Sequence, residues 1–226
     1  MKVAVIIPAL NEAGCIGKLV GEVKSQPVDQ VVVVDNGSTD GTGDVAKQAG
    51  ARVVYEPRRG YGYACAAGVA AASDSDVFVF LDGDYSFQPS EMPGLLAPLQ
   101  ENRADLVLGS RERGFIAPGS MPFHQHLGNW LVATLVRRLY GLPITDLGPY
   151  RAVRRNVMSA LEMCEMTYGW PTEMIIKAAR QHARIIEVPV SFHARRAGKS
   201  KVSGTVRGTV LAAHRILSVT LRYAFT

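Results

Sequence analysis

The chain has 226 residues and is 47% hydrophobic, enough for one sizeable α/β core and at most two small domains; a single domain is the default reading. Three widely spaced cysteines, Cys15, Cys65 and Cys164, form no CxxC pair, which excludes a disulfide framework and a zinc site and points to core cysteines in a reducing compartment. The net charge of +5 divides into −6 over residues 1–105 and +11 over residues 106–226, and aromatic residues do not interleave with the basic ones; an anionic membrane surface or a phosphorylated substrate therefore ranks ahead of nucleic acid. In chain order, VAVIIP (3–8) predicts a strand, 12–24 a helix, VVVVD (31–35) a strand, 40–49 a helix and RVVY (52–55) a strand. An Ala-rich helix over 63–72 and the strand VFVFLD (77–82) follow. These apolar runs are short and do not alternate, as expected of strands buried on both faces of a parallel sheet. A helix from about residue 90 and DLVLGSR (105–111) extend the same rhythm, giving an α/β, Rossmann-like doubly wound pattern with helices on both faces. Beyond it, helices are expected over 121–140, 171–181 and 205–225, with RIIEVPVSF (184–192) as a strand broken at Pro189. No repeat or linker separates the halves, so residues 1–226 read as one domain, with 1–110 and 111–226 as its two functional halves.

In an open parallel sheet ligands bind beyond the carboxyl ends of the strands. Glu12, Asp35, and the pair Asp82 and Asp84 fall there. Side chains two apart in extended chain share a side, and Gly83 between them permits close approach of a ligand, so Asp82 and Asp84 together suit one hard divalent cation. A plain polar turn is the alternative for an isolated DGD, and NGSTDGT (36–42) equally reads as turn chemistry with Ser38, Thr39 or Asp40 capping the following helix. Recurrence of such clusters at one sheet edge favours a site.

PALNE (8–12), VVDNGSTDGT (33–42) and LDGDYSFQP (81–89), in this order and spacing, resemble the nucleotide-sugar-binding half of family 2 glycosyltransferases. GSR (109–111), TDLGPYRAVRR (145–155) and EVPVSFHARRAGKSKVSG (187–204) extend the resemblance to the dolichyl-phosphate mannose synthase, or polyprenyl-phosphate glycosyltransferase, branch. The resemblance implies a GT-A fold, a UDP- or GDP-hexose donor and Mg2+ or Mn2+. Carried over by position, it places Pro8, Ala9, Glu12, Asp35, Asn36, Gly37, Arg59, Gly60, Asp82 and Gly83 at the donor and makes Asp84 the principal metal ligand, with Asp82 beside it. The stretch RRGYG (58–62) lacks full GxGxxG spacing because Cys65 stands where the last glycine belongs, which argues against a dinucleotide site. Asn36 and Ser86 also depart from the pattern, where an Asp and a Gln are common.

Negative charge builds on the diphosphate as the sugar leaves, and a cation held by Asp84 would stabilise it. A polyprenyl phosphate acceptor arrives ionised and needs cationic groups rather than a strong base. Arg111, Arg151, Arg195, Lys199 and Lys201 are the candidates, with RRAGKSK (195–201) resembling a mobile acceptor loop. Glu173 stands where inverting relatives keep a base for a hydroxyl acceptor. A soluble hydroxyl or glycan acceptor is the second reading, and a nucleotide-binding module without turnover the third.

No charged segment followed by an apolar run opens the chain, and no apolar run approaches the ~18 residues of a membrane span. The expectation is a cytoplasmic protein, peripheral at the inner membrane face. In the last helix Val206, Val210, Ala213, Leu217 and Leu221 form one face beside a stripe of Arg207, His214 and Arg222. Residues 128–141, with Trp130, Tyr140, Arg137 and Arg138, are similarly amphipathic. Both suit a membrane interface, packing on the sheet, or contact between copies in a homo-oligomer. His124 and His126 lack a third ligand and read as a polar loop.

Overall fold

The computed structural model describes residues 1–196 and 206–224. Strands and helices alternate as β1 (Val3–Ala9), α1 (Ala13–Lys24), β2 (Gln30–Asp35), α2 (Thr42–Gln48), β3 (Arg52–Tyr55), α3 (Tyr61–Ala71), β4 (Val77–Phe80), α4 (Met92–Gln100) and β5 (Leu106–Ile116). They continue as α5 (Phe123–Tyr140), β6 (Arg151–Arg154), α6 (Arg155–Ala160), α7 (Trp170–Arg180), β7 (Ile185–Phe192) and α8 (Val206–Arg222). The strands form one sheet in the order β3-β2-β1-β4-β6-β5-β7. β6 runs antiparallel to both neighbours, while every other pairing is parallel.

The continuous apolar runs are explained by burial on both faces. Val3, Val5 and Ile7 of β1 pack with Leu19 of α1 and Leu95 of α4, whereas Ala4 and Ile6 pack with Ala64 of α3, Val136 of α5 and Trp170 of α7. Fully buried side chains such as Ile6, Ile7, Phe78 and Phe80 each contribute on the order of 1.5–3 kcal/mol.

Four expectations change. RAVR (151–154), for which the sequence predicted no strand, is one inserted between β4 and β5. Pro189 leaves β7 continuous at the sheet edge but interrupts its ladder: it pairs with Ser110, after which the β5–β7 register shifts and resumes at Phe115 and Ser191. His124 and His126 lie on α5 rather than in a loop, and His126 Nδ1 sits 3.3 Å from Glu112. Cys15 and Cys65 are core residues, but Cys164 is exposed.

α8 is also rotated from its expected face. Ala212, Val219 and Thr220 are buried against the body, while Val210 and Leu221 are 60% and 47% exposed. α5 packs Val132, Ala133 and Val136 inward and exposes Phe123, Leu127, Trp130, Leu131 and Leu139. Among the described residues no helix is long and apolar enough to cross a membrane.

Candidate active site

The ends of β1, β2 and β4 open into a cavity of about 350 Å³. Ten of the residues expected at the substrate and metal site meet in its wall: Pro8, Ala9 and Glu12 after β1, Asn36 after β2, Arg59 and Gly60 before α3, Asp82, Gly83 and Asp84 after β4, and Arg195 after β7. Tyr61, Thr167 and Tyr168 also line the wall, with Leu10 and Ala64, and were not singled out by the sequence; Tyr61 Oη is buried beside Asp82 and Cys65. Asp35 and Gly37 stand behind the wall. Asp35 accepts Ser38 N–H at 2.7 Å, and Gly37, at φ +81, lies against the Arg59 guanidinium, where a Cβ would come within 3.3 Å.

The two loops at the sheet edge lock into each other. Glu12 N–H donates to Thr42 Oγ1 at 2.8 Å, and Asn11, itself at φ +57, accepts Thr39 N–H at 2.8 Å. Asp40 accepts Ala13 N–H at the start of α1 and Thr42 N–H at the start of α2, both at 3.1 Å, so it caps two helices rather than one. Asn36 explains its departure from aspartate. Its amide nitrogen donates to Glu56 O at 2.9 Å and Arg58 O at 2.7 Å, while its oxygen accepts Gly60 N–H at 3.0 Å. A carboxylate has no N–H to offer those carbonyls, so the amide is what holds the Arg59–Gly60 turn against the cavity.

At the cavity floor, burial and the negative charge of Asp84 push the Asp82 carboxyl up to about 7. The two neighbouring carboxylates form a donor set for a cation. Arg195 stands in for one: its Nη1 lies 3.0 Å from Asp84 Oδ2, and its Nη2 donates to Glu12. Ser86 answers the question raised by its identity. Its N–H and Oγ donate to Asp84 Oδ1 at 3.0 and 2.6 Å, so it orients the carboxylate from behind and leaves Oδ2 facing the cavity. The donor set therefore fits a hard divalent cation held by Asp84 and Asp82 and completed by diphosphate oxygens; among the described residues no cluster of three metal-binding side chains exists to hold one without the substrate.

Arg195 owes its position to a ribbon that the sequence did not announce. His193 N–H donates to Ser86 O at 2.9 Å, Phe87 bridges Phe192 in antiparallel sense, and the Arg196 guanidinium lies 4.4 Å over the Tyr85 ring. Tyr85 itself takes φ +61, a strained conformation held in place by that packing. The base of the basic segment is thus docked on DGDYSF; Lys199 and Lys201 lie outside the described residues.

The remaining arginines and the glutamate separate. Arg111 donates through N–H, Nε and Nη2 to Asp146, at 2.7, 2.8 and 2.6 Å. Burial opposes charge on Asp146, yet the Arg111 cation and its hydrogen bonds hold the carboxyl below its ordinary range. Glu187 fixes this loop by accepting from Thr145 N–H and Asp146 N–H at 2.7 and 3.0 Å, so GSR, TDLGPY and EVPVSF form one interlocked unit. Arg151 is a correction. It is fully buried on the central strand β6, and its guanidinium donates to Pro171 O, Leu147 O and Gly148 O, which leaves it tying loops together out of reach of an acceptor phosphate. Burial lowers its pKa to about 10. Glu173 is a second correction. It is fully buried off the cavity wall and accepts from Cys164 N–H at 3.0 Å, Glu165 N–H at 2.7 Å and Tyr223 Oη at 2.6 Å, with Lys177 Nζ 3.1 Å away. Burial raises its pKa, but these donors outweigh it and the net shift is downward, the reverse of what a general base needs.

Comparison with known proteins agrees with the motifs. The family model described as glycosyl transferase family 2 matches residues 4–161. A glycosyltransferase of Mycobacterium tuberculosis is 38% identical over 210 residues, 93% of this chain and 94% of that protein. The undecaprenyl-phosphate mannosyltransferase of Micrococcus luteus is 34% identical, with 92% and 90% covered, and the polyprenol monophosphomannose synthase of Mycolicibacterium smegmatis 31%, with 89% and 81% covered. Among solved structures, glucosyl-3-phosphoglycerate synthase from Mycobacterium tuberculosis, in complex with Mn2+, UDP and phosphoglyceric acid, superposes with a TM-score of 0.80 at 25% identity over 99% of this chain and 78% of that one. The fold is GT-A, and the chain belongs to glycosyl transferase family 2.

Proposed function

We propose that this glycosyltransferase moves a hexose, with inversion, from a UDP- or GDP-sugar to a polyprenyl phosphate at the cytoplasmic membrane face. The observation that carries the reading is the single cavity in which the donor motifs meet Arg195 of the basic second half. The names of the relatives support a prenyl phosphate acceptor, and the apolar row Phe123, Leu127, Trp130 and Leu131 exposed on α5 supports a membrane surface.

In this reading Glu12, Asn36 and the Arg59–Gly60 turn frame the nucleotide. Asp84, oriented by Ser86, and Asp82 would hold Mg2+ or Mn2+, which when bound would supply positive charge against the leaving diphosphate. Arg195, held between Glu12 and Asp84, is the cation of this cavity that would turn to phosphate oxygens of a bound substrate. An acceptor phosphate oxygen bonds to the anomeric carbon from the face opposite the breaking bond to the diphosphate, which departs with that electron pair. The attacking oxygen is already ionised, so the engaged state of Glu173 is no obstacle.

A second reading, a soluble phosphorylated acceptor, is favoured by the phosphoglyceric acid bound in the similar solved structure. Purified protein incubated with Mn2+, a panel of sugar nucleotides, and either undecaprenyl phosphate or phosphoglyceric acid separates the two. A lipid-linked sugar supports the first reading and its absence with every donor ends it. Asp84→Asn should lower transfer by at least ~100-fold and abolish the metal-dependent part of nucleotide-induced thermal stabilisation.

A further inference from the structure

Glu173 divides its two oxygens between segments far apart in the chain. Oε2 accepts the N–H groups of Cys164 and Glu165, at 3.0 and 2.7 Å, while Oε1 faces Tyr223 Oη at 2.6 Å and Lys177 Nζ at 3.1 Å. Cys164 and Glu165 belong to the loop between α6 and α7, and Tyr223 to the turn after α8. That turn is fastened to α7: Arg180 Nη1 donates to Tyr223 O at 2.7 Å, and Lys177 Nζ lies 5.5 Å over the Tyr223 ring. The same lysine donates to Glu162 O at 2.7 Å, and Glu162 takes φ +45, a conformation that persists only where its surroundings hold it. From Glu173 the hold passes along the loop to the donor cavity. The Glu165 carboxylate accepts Thr167 N–H at 2.9 Å and also Thr167 Oγ1. Met166 O accepts Gly62 N–H and Tyr63 N–H, at 3.1 and 3.3 Å, just beyond the Arg59–Gly60 turn. Thr167 and Tyr168 then line the cavity itself. The far end of the loop has no slack either, since a Cβ on Gly169 would lie 2.9 Å from both Glu165 Cγ and Val219 Cγ2 of α8.

Resting on the reading of this cavity as the nucleotide-sugar site, we propose that Glu173 and Tyr223 are positioning residues for the donor: docking of the turn after α8 sets where Thr167 and Tyr168 stand in the cavity wall. Neither residue touches the donor, and both act through the 162–168 loop. With both oxygens engaged the carboxylate has a single orientation. Loss of the Tyr223 hydroxyl lets it turn toward Lys177 and loosens its grip on the two loop N–H groups, because members of one buried hydrogen-bond network hold each other in place. The chain before α8 reaches the same cavity through Arg195, so donor-site residues depend on segments at both ends of this helix.

Tyr223→Phe removes the hydroxyl and keeps the ring over Lys177. Its Kd for UDP or GDP in the presence of Mn2+, measured by titration calorimetry, should rise about fivefold, in line with the net worth of one hydrogen bond. In turnover the donor KM should rise by the same factor, with kcat at saturating donor within about twofold of wild type. Ile175→Val, which opens a small cavity on the buried face of the same α7 helix, should lower the melting temperature without moving Kd. Tyr223→Phe and Glu173→Gln should combine to less than the product of their separate factors, because they act on one carboxylate. A Tyr223→Phe protein with a lower melting temperature and an unchanged Kd would assign the residue to stability alone and overturn the proposal, as would factors that multiply in the double variant. A wild type that binds neither nucleotide with Mn2+ is a separate failure, that of the donor reading itself, and the positioning role falls with it.

Discussion

Asn36 and Glu173 are polar side chains whose identity is set by what they hold in place. Asn36 donates to two carbonyls and accepts one N–H, so Asn36→Asp leaves Glu56 O and Arg58 O without a donor and brings a charge beside them. We expect it to destabilise the protein by about 1–3 kcal/mol in urea unfolding and to weaken nucleotide binding through the displaced Arg59–Gly60 turn. Glu173→Gln should cost about 1.5–3 kcal/mol at neutral pH, because the charged acceptor of four donors is lost. The folded carboxyl titrates below its ordinary value of 4.5, so its contribution is complete above that pH and is lost as pH falls through the folded value. Wild type and variant stabilities should therefore converge in acid, and a penalty that stays constant from pH 7 to pH 3 would contradict this role. The acidic motifs were legible through their recurrence at one sheet edge, since each alone reads equally as turn or cap chemistry. Arg151 and Glu173 were not, since a charged residue in a motif reads as exposed until the carbonyls and N–H groups that solvate it internally are brought together by the fold.

The parallel half was readable from its short apolar runs, whereas β6 was not: RAVR is four residues long, carries a charge at each end, and becomes a strand only because β4 and β5 leave a gap between them. The orientation of α8 escaped for a related reason. Its apolar residues circle most of the helix, and the face that packs is chosen by α5 and α7, which it contacts. The start of α3 offers a sharp test at this scale. A Cβ on Gly62 would lie 2.6 Å from Glu165 O and 2.6 Å from Met166 Cα, both backbone atoms that a rotamer change cannot clear. Gly62→Ala should therefore cost about 2–4 kcal/mol, read by denaturant midpoint, and push Thr167 and Tyr168 into the donor cavity so that nucleotide-induced thermal stabilisation falls as well.

Across the whole molecule the −6 and +11 halves are two parts of one sheet, and the acidic donor edge is closed by a cation from the basic half. Membrane association in the proposed reading would combine that excess positive charge with the α5 apolar row. Co-sedimentation with anionic vesicles should accordingly be strong in low salt, weaken toward 1 M salt, where the screening length is about 3 Å, and fall further in Trp130→Ala; equal binding to neutral vesicles would count against the electrostatic part. The placement of β6 has a further consequence, for synthesis. Until residues 151–154 emerge from the ribosome, β4 has one partner and an open apolar edge, and β5 has no way to join the sheet. At roughly 5–20 residues per second that edge waits several seconds for its partner, long enough for a nascent chain to need a holding chaperone and for a fragment ending near residue 110 to aggregate rather than bind nucleotide.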